Sequence, residues 1–371
     1  MISIGIFHRS ILVGDAIGND ILGSCDLLTK MEFDCWLLGE FVHETIKNLY
    51  QVDLNLDSNH INNKYDLIFY HHSLFWEHGG QILNDCIKPI VIKFHNITPP
   101  HFFVPYSPLY VDICRKGFDQ ILVFKDIFNV RLWQADSLFN MFDLRRCGIA
   151  EKHIKLVPPF NRVSVLGKKT NAASFSNQDA IQILFIGRHA PNKGHFNLLI
   201  VLAIYRTIYS ERVLLKIVGS NNDPQLKKYY QEIEQLIFKL GLSDNVKIIS
   251  HITDQELDDL LLSSHIYLNL SDHEGFCVPI IEAQSVGLPI VTTEVCALRE
   301  TAGLNQVVLP YPITEEDFQL YAYMIHEIIN NKVFREELIT NGLKNVRERF
   351  SQEILENLFI SSIEPILKRL V

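Results

Sequence analysis

The stretch Glu274-Gly275-Phe276-Cys277-Val278-Pro279-Ile280-Ile281-Glu282-Ala283-Gln284-Ser285-Val286-Gly287-Leu288-Pro289 follows a β-branched run, Ile266–Leu270, and opens a helix. Pro279 suits the first helical position, where a missing N–H is harmless. Gly287 and Pro289 stop the helix after about two turns. Glu274 therefore lies in the strand-to-helix loop, and Glu282 projects from the first turn of the helix. Between them the amides of Gly275, Phe276, Cys277 and Val278 point at whatever ligand lies there, and a helix N-terminus is a natural anion site.

Working outward, the same half opens with Ile183-Leu184-Phe185-Ile186-Gly187-Arg188-His189-Ala190-Pro191-Asn192-Lys193-Gly194. An apolar strand ends at Gly187, and Arg188 and Lys193 straddle the loop before the next helix. Two cations at a strand's carboxyl end can clamp a diphosphate and neutralise charge on a departing group. Two carboxylates flanking an anion site suit a ligand that is anionic in its middle and polyhydroxylated at both ends. A nucleotide-sugar has that shape.

Short β-branched runs alternate with helix-length amphipathic stretches along the whole chain, the pattern of an α/β protein with parallel sheets. In the first half Ile2–Phe7, Cys35–Leu38, Leu67–Tyr70, Ile90–Phe94, Gln120–Phe124 and Ile154–Val157 read as strands, and Asn19–Met31 as a helix. In the second half Ile181–Ile186, Val213–Val218, Val246–Ile249, Ile266–Leu270 and Ile290–Thr293 read as strands. The polar, aperiodic stretch 162–180 between them reads as a linker. This predicts an N-terminal domain over 1–161, a C-terminal domain over 181–350 that carries both of these motifs, and a last helix over 351–371. Periodicity alone lets that helix pack on either domain, and packing back on the first is the expectation. Two such sheets in tandem would leave a cleft between them, with ligands at the carboxyl ends of the strands.

The 371 residues carry 34 Lys+Arg against 43 Asp+Glu, a net charge of −9, which argues against a nucleic-acid binder. The longest apolar run, Leu198–Tyr205, is far too short to span a membrane, and Met1–Phe7 lacks the basic region of a signal peptide. Seven scattered cysteines with no Cys-x-x-Cys pair indicate neither a zinc site nor a disulfide framework. A cytoplasmic protein with reduced thiols is the expectation.

On these residues the chain resembles family 4 retaining glycosyltransferases of the GT-B fold, two Rossmann-like domains with a cleft between them. The resemblance rests on Gly187, Arg188, Lys193 and Gly194, on the Glu274-x7-Glu282 spacing, on Ile217-Val218-Gly219 and on Gly287-Leu288-Pro289. In the first half, Gly14-Asp15 after the first strand and His95-Asn96 after a later one are similar to the family more loosely. The resemblance implies that Glu282 holds the ribose hydroxyls and that Arg188 and Lys193 bind the diphosphate. Glu274 and the amides of Phe276, Cys277 and Val278 would meet the donor sugar and phosphate. Gly14 and Asp15 would approach the diphosphate and acceptor, and His95 would contact the sugar near its 6-hydroxyl. His95, Glu274, Lys193 and Arg188 are thus the expected catalytic set. Main-chain atoms near His251-Ile252 and Gly219 would recognise the base. Cys277 departs from the family's common Gly, which is tolerable only if position 277 needs no positive φ.

The resemblance further implies transfer of a hexose, with UDP-glucose the first expectation, to a saccharide or glycolipid acceptor, without a metal or other cofactor. GDP-mannose is the alternative donor, and a non-catalytic nucleotide-sugar binder the alternative role. Some similar members build bacterial surface polysaccharides. A hydrolysing epimerase lacks the combination of Arg188, Lys193, Glu274 and Glu282, and no Gly-x-Gly-x-x-Gly follows any strand to suggest a dehydrogenase. Asp258-Asp259 reads as a solvated helix face, and His71-His72 as surface or cleft lining rather than metal ligands. Trp76, Tyr106 and Phe102-Phe103 are candidates for an acceptor platform, with burial the default. Arg115-Lys116 and Arg145-Arg146 would face anionic lipid if the acceptor is membrane-anchored, placing the protein peripherally at the inner face.

Overall fold

Apolar runs without polar alternation need cover on both faces, and here they form parallel strands flanked by helices. The computed structural model describes residues 1–171, 173, 175, 180–210 and 212–370. The chain divides into two units. One comprises Met1–Pro100, Asp112–Asn161 and Gln352–Val371, and the other His101–Val111 and Arg162–Ser351.

In the first unit, β1 (Ser3–Phe7) leads into α1 (Ala16–Lys30), followed by β2 (Asp34–Leu38), β3 (Val52–Asp53), β4 (Leu67–His72) and β5 (Ile90–Phe94). Helix α2 (Pro108–Phe124), in this unit from Asp112 onward, β6 (Val130–Ala135) and β7 (Ile154–Leu156) follow. The sheet order is β3-β2-β1-β4-β5-β6-β7. The chain therefore moves outward from β1, then returns to β1's other side at β4, and the carboxyl ends of these two strands flank the switch in direction. Gln120–Phe124, expected as a strand, is the last turn of α2. The buried residues Cys114, Gly117, Gln120, Ile121 and Phe124 recur at helical spacing, while Leu122 and Val123 face out. A short apolar run reads equally as strand or helix until its flanks are weighed. The strand lies further on, at β6.

The main segment of the second unit opens with α3 (Val163–Leu166), so the stretch read as a linker starts as a helix, with Leu166 fully buried. The centre of that stretch (172, 174 and 176–179) lies outside the described residues. Then come β8 (Ile181–Ile186), α4 (His195–Ile208), β9 (Val213–Val218), β10 (Val246–Ile249) and β11 (Ile266–Asn269). Helix α5 (Val278–Ser285), β12 (Ile290–Thr293) and β13 (Val307–Leu309) complete the sheet, whose order is β10-β9-β8-β11-β12-β13. Its switch point lies between β8 and β11. Among the described residues no helix is long and apolar enough to cross a membrane.

Helix α6 (Gln352–Leu367) belongs to the first unit. Its Leu355, Phe359, Ile363 and Leu367 join the core formed by Ile4, Ile6, Phe69, Val91 and Leu132. Phe359 stacks on Phe69 with ring centroids 5.5 Å apart, and Gln134 donates to Ser362 Oγ at 2.8 Å. Burying four such side chains contributes about 1.5–3 kcal/mol each before conformational entropy is charged against it.

One glycine fixes how the loop after β8 meets the end of β11. Gly194 has φ +67°, and a Cβ there would lie 1.8 Å from the Leu270 carbonyl oxygen. Gly14, at φ +81°, has open space around the corresponding position. Gly14→Ala is therefore expected to cost about 1–2 kcal/mol, the left-handed backbone alone. Gly194→Ala adds a clash with backbone and should cost more than about 3 kcal/mol. Unfolding midpoints of the two variants check the difference, and equal shifts would contradict it.

His72 supplies a pH prediction. Its ring is fully buried, Nε2–H donates to the Gly117 carbonyl at 3.0 Å, and burial lowers its pKa from 6.5 to about 4. The unfolded chain thus takes up this proton first on acidification, so the native state loses stability as pH falls from about 6.5 through about 4. His72→Gln should flatten the fall across that window in urea titrations. An unchanged slope would show that other groups govern it.

Candidate functional site

In the second unit the loops leaving β8 and β11 are fastened together at the switch point. The Asp272 and His273 amides donate to the Asn192 carbonyl at 2.9 and 3.3 Å, and Asn192 Nδ2 donates to His273 O at 3.1 Å. This holds Lys193 against Glu274: Nζ lies 2.8 Å from both carboxylate oxygens. Ser271 Oγ donates to Oε1 at 2.9 Å. Glu274 is 8% exposed, so its charge is satisfied chiefly by these groups. Arg188 remains exposed, its guanidinium 5.8 Å from the ring of Tyr110. Tyr110 in turn donates to Asp223.

The chain then enters α5 through Cys277, which corrects the expectation for this position. Cys277 has φ +78° and ψ +72°, the left-handed conformation a glycine would take freely. Its thiol is buried, accepts from Asn269 Nδ2 at 3.2 Å, and is pushed up in pKa by that burial. Pro279 is the second helical residue rather than the first, because Cys277 is the N-cap and Val278 the first. Cys277 makes no side-chain capping bond. The helix start, with its partial positive charge, therefore has no competing side-chain anion at its cap. Phe276 is pinned behind it, its carbonyl accepting from Thr301 Oγ1 at 2.6 Å. Gly275 links Glu274 to this turn, and burial raises the neighbouring Asp272 to about 6 and lowers His273 to about 4.

Glu282 is the fifth residue of α5, at the opening of the second turn rather than in the first, and is 5% exposed. Burial raises its pKa, and Arg162 opposes that effect from 3.3 Å. Arg162 also reaches Asp258 at 3.3 Å, and Lys169 reaches the other Asp258 oxygen at 2.7 Å. Asp258, expected to be solvated, is thus a buried ion-pair partner, while Asp259 is exposed. Gly219 ends β9 against Gly187, where a Cβ would lie 2.1 Å from the Gly187 oxygen. Ile252 packs against the core beneath α5, next to exposed His251.

The first unit holds a separate buried polar cluster at the carboxyl ends of β4 and β5. His95 Nδ1 lies 2.9 Å from Asp136 Oδ2, and its Nε2 lies 2.8 Å from His71 Nδ1. Both ring nitrogens of His95 are engaged. Lys93 contacts Asp136 at 3.3 Å and Asp20 at 3.7 Å, and donates to the Val157 carbonyl. Asp20 in turn accepts the Phe160 amide at 2.8 Å. Burial raises Asp20; it also works to raise Asp136, but His95 and Lys93 outweigh it and hold that carboxyl below its usual range. His71 and His72, expected as surface or cleft lining, are buried, 2% and 0% exposed.

Asp20, His71 and His95 bring three ligand atoms within 4.8 Å of one another. Lys93 Nζ, 3.7 Å from Asp20 Oδ2, already offsets the charge this carboxylate would offer a cation. Gly14 precedes α1, and Asp15 caps that helix, its Oδ1 accepting from the Gly18 amide. Trp76 is buried and donates to Glu40 at 2.7 Å. It lines a cavity of about 350 Å³ with Arg9, Glu40, Phe75, Glu77, His78 and Gln81. Arg115 and Lys116 both pair with Asp112 at 2.7 Å.

Sequence reasoning missed Arg162, Lys169, Asp20, Lys93 and Asp136. Lys93 did carry a signal: a lysine inside the apolar strand Ile90–Phe94 requires a buried partner.

Residues 168–345 match the model of the glycosyl transferases group 1 family. Mannosylfructose-phosphate synthase of Agrobacterium fabrum is 28% identical over 167 residues, 43% of this chain and 36% of the relative. The capsular polysaccharide biosynthesis glycosyltransferase CapM of Staphylococcus aureus is 27% identical over 192 residues, 51% of this chain and 47% of the relative. The matches thus span less than half the length of these curated relatives. The crystal structure of HepE from Anabaena, in complex with UDP and glucose, superposes with a TM-score of 0.79 at 16% identity, covering 98% of this chain and 100% of that one. With the motif loops at the ends of β8 and β11 and the fold shared along the whole chain, residues 168–345 form a group 1 glycosyltransferase domain within a chain of GT-B fold.

Proposed function

We propose that the chain is a retaining, metal-independent hexosyltransferase. It would move glucose from UDP-glucose to a saccharide or glycolipid acceptor, in the cytoplasm or at the inner membrane face. The observation that carries this reading is the Lys193–Glu274 pair beside the uncapped start of α5. It puts a cation, a helix N-terminus and a carboxylate at one point of the sheet's carboxyl edge. Support for the donor comes from HepE, whose complex contains UDP and glucose, and for the acceptor class from the capsular polysaccharide relative.

In this reading Arg188, Lys193 and the amides of Phe276, Cys277 and Val278 receive the diphosphate, while Glu274 orients the sugar hydroxyls. The bond from the anomeric carbon to the phosphate oxygen breaks, and the acceptor oxygen attacks from the same face. The acceptor's proton passes to the departing phosphate oxygen. Charge therefore grows on the phosphate, where a fixed ammonium and helix dipole act with little reorganisation. Glu282 holds the ribose, and main-chain atoms near Gly219 and Ile252 meet the base. Gly14, Asp15 and His95 are assigned to the donor on sequence resemblance. The sugar contact assigned to His95 requires its bond to His71 to be exchanged for one to the ligand.

A panel of UDP-glucose, GDP-mannose and ADP-glucose tests the reading by thermal shift and by release of nucleoside diphosphate. UDP-glucose should raise the unfolding midpoint most, since ligand at 100 times its Kd adds about 2.7 kcal/mol. Lys193→Ala should lower kcat by about 100-fold or more with a smaller change in donor affinity. Excess chelator should leave turnover intact. Stabilisation by GDP-mannose alone would reassign the donor, binding without turnover across acceptors would make the chain a binder, and no response to any compound would overturn the reading.

A further inference from the structure

Arg162, where the chain re-enters the second unit, is placed with more care than a linker residue needs. It caps α3, whose Val163 packs with Phe276, Val278 and Ile281, while Leu166 packs with Cys277, Ile280 and Ala283. The short helix is thereby locked to the first turns of α5. Its guanidinium meets three carboxylates: Glu282 Oε1 through Nε at 3.3 Å, and Asp258 and Asp254 through Nη1 at 3.3 and 3.7 Å. Lys169 pairs with the second Asp258 oxygen at 2.7 Å, offsetting the charge that Asp258 would otherwise direct at Glu282. Arg162 Nη2 is buried with no hydrogen-bond partner among the described residues. A guanidinium that only braced the fold would be expected to pair its buried donors.

An isolated carboxylate as buried as Glu282 takes up a proton and turns freely between rotamers. Tying one oxygen to a planar fork, itself held by two further carboxylates, removes that freedom. The group left for a ligand is then a fixed acceptor, suited to the paired hydroxyls of a ribose. We propose that Arg162 is a positioning residue for nucleotide binding: it holds Glu282 Oε1 so that the carboxylate is set to receive the ribose diol. The inference rests on the reading of Glu282 as the ribose residue. Lysine at 162 keeps the charge but loses the two-pronged geometry, so it should restore the function only in part.

Isothermal titration with UDP, ADP and GDP, each beside its 2′,3′-dideoxy counterpart, separates this role from a structural one. The wild-type chain should bind its preferred ribonucleotide about 10-fold or more tighter than the dideoxy form, the scale of a charge-assisted hydrogen bond. Arg162→Gln should bring the ribonucleotide down to the dideoxy level and leave dideoxy affinity within about twofold. Arg162→Lys should fall between, and melting curves confirm that each variant is folded. If Arg162→Gln weakens both forms alike, or neither, while Glu282→Gln abolishes the preference, Arg162 has no positioning role and the Glu282 assignment survives. If wild type and Glu282→Gln treat both forms alike, the Glu282 reading fails and this inference with it.

Discussion

The contact of one lysine with both oxygens of one glutamate underlies the second unit's site. Lys193 and Glu274 come from different strand ends, and neither is well placed alone. Gly194 must take a left-handed turn and press against the Leu270 carbonyl, Asn192 must tie the two loops, and Ser271 must take up Oε1. Removing one member of such a buried pair leaves an uncompensated charge, commonly at a cost of about 3–5 kcal/mol. The pair thus helps fix the two loops, and in the proposed reading a ligand phosphate would share a lysine already held in place.

The two units treat buried charge alike. In the first, Lys93 and His95 offset Asp20 and Asp136 at the ends of β4 and β5. In the second, Arg162 and Lys169 offset Glu282 and Asp258 around α5. In neither case is the arrangement needed for the hydrophobic core. Apolar residues of the same shape would often be as stable. Such clusters lie where the chain must hold polar groups in a defined orientation at the edge of a sheet.

Much of the fold was legible because continuous β-branched runs bounded by Gly, Pro or polar turns admit one reading. Ile181–Ile186, Val213–Val218, Val246–Ile249 and Ile290–Thr293 were readable residue by residue. Gln120–Phe124 was not, since its apolar run hides the helical spacing that only Cys114 and Gly117 reveal. At the site, Glu274 and Lys193 were legible from local motifs, but their pairing across 81 residues was not. Cys277 concealed its left-handed backbone because the usual marker, glycine, is absent. Arg162 and Asp258 were misread because their partners lie 120 and 96 residues from Arg162, beyond any local pattern.

The central claim is that a diphosphate is received by Lys193 and the first amides of α5. A crystal structure of the chain with bound UDP-glucose tests it most directly. The account predicts both phosphoryl groups beside Lys193 and the 276–278 turn, with the ribose at Glu282. A saturating ligand bound with its diphosphate away from that turn, or a turn left without density, would contradict it.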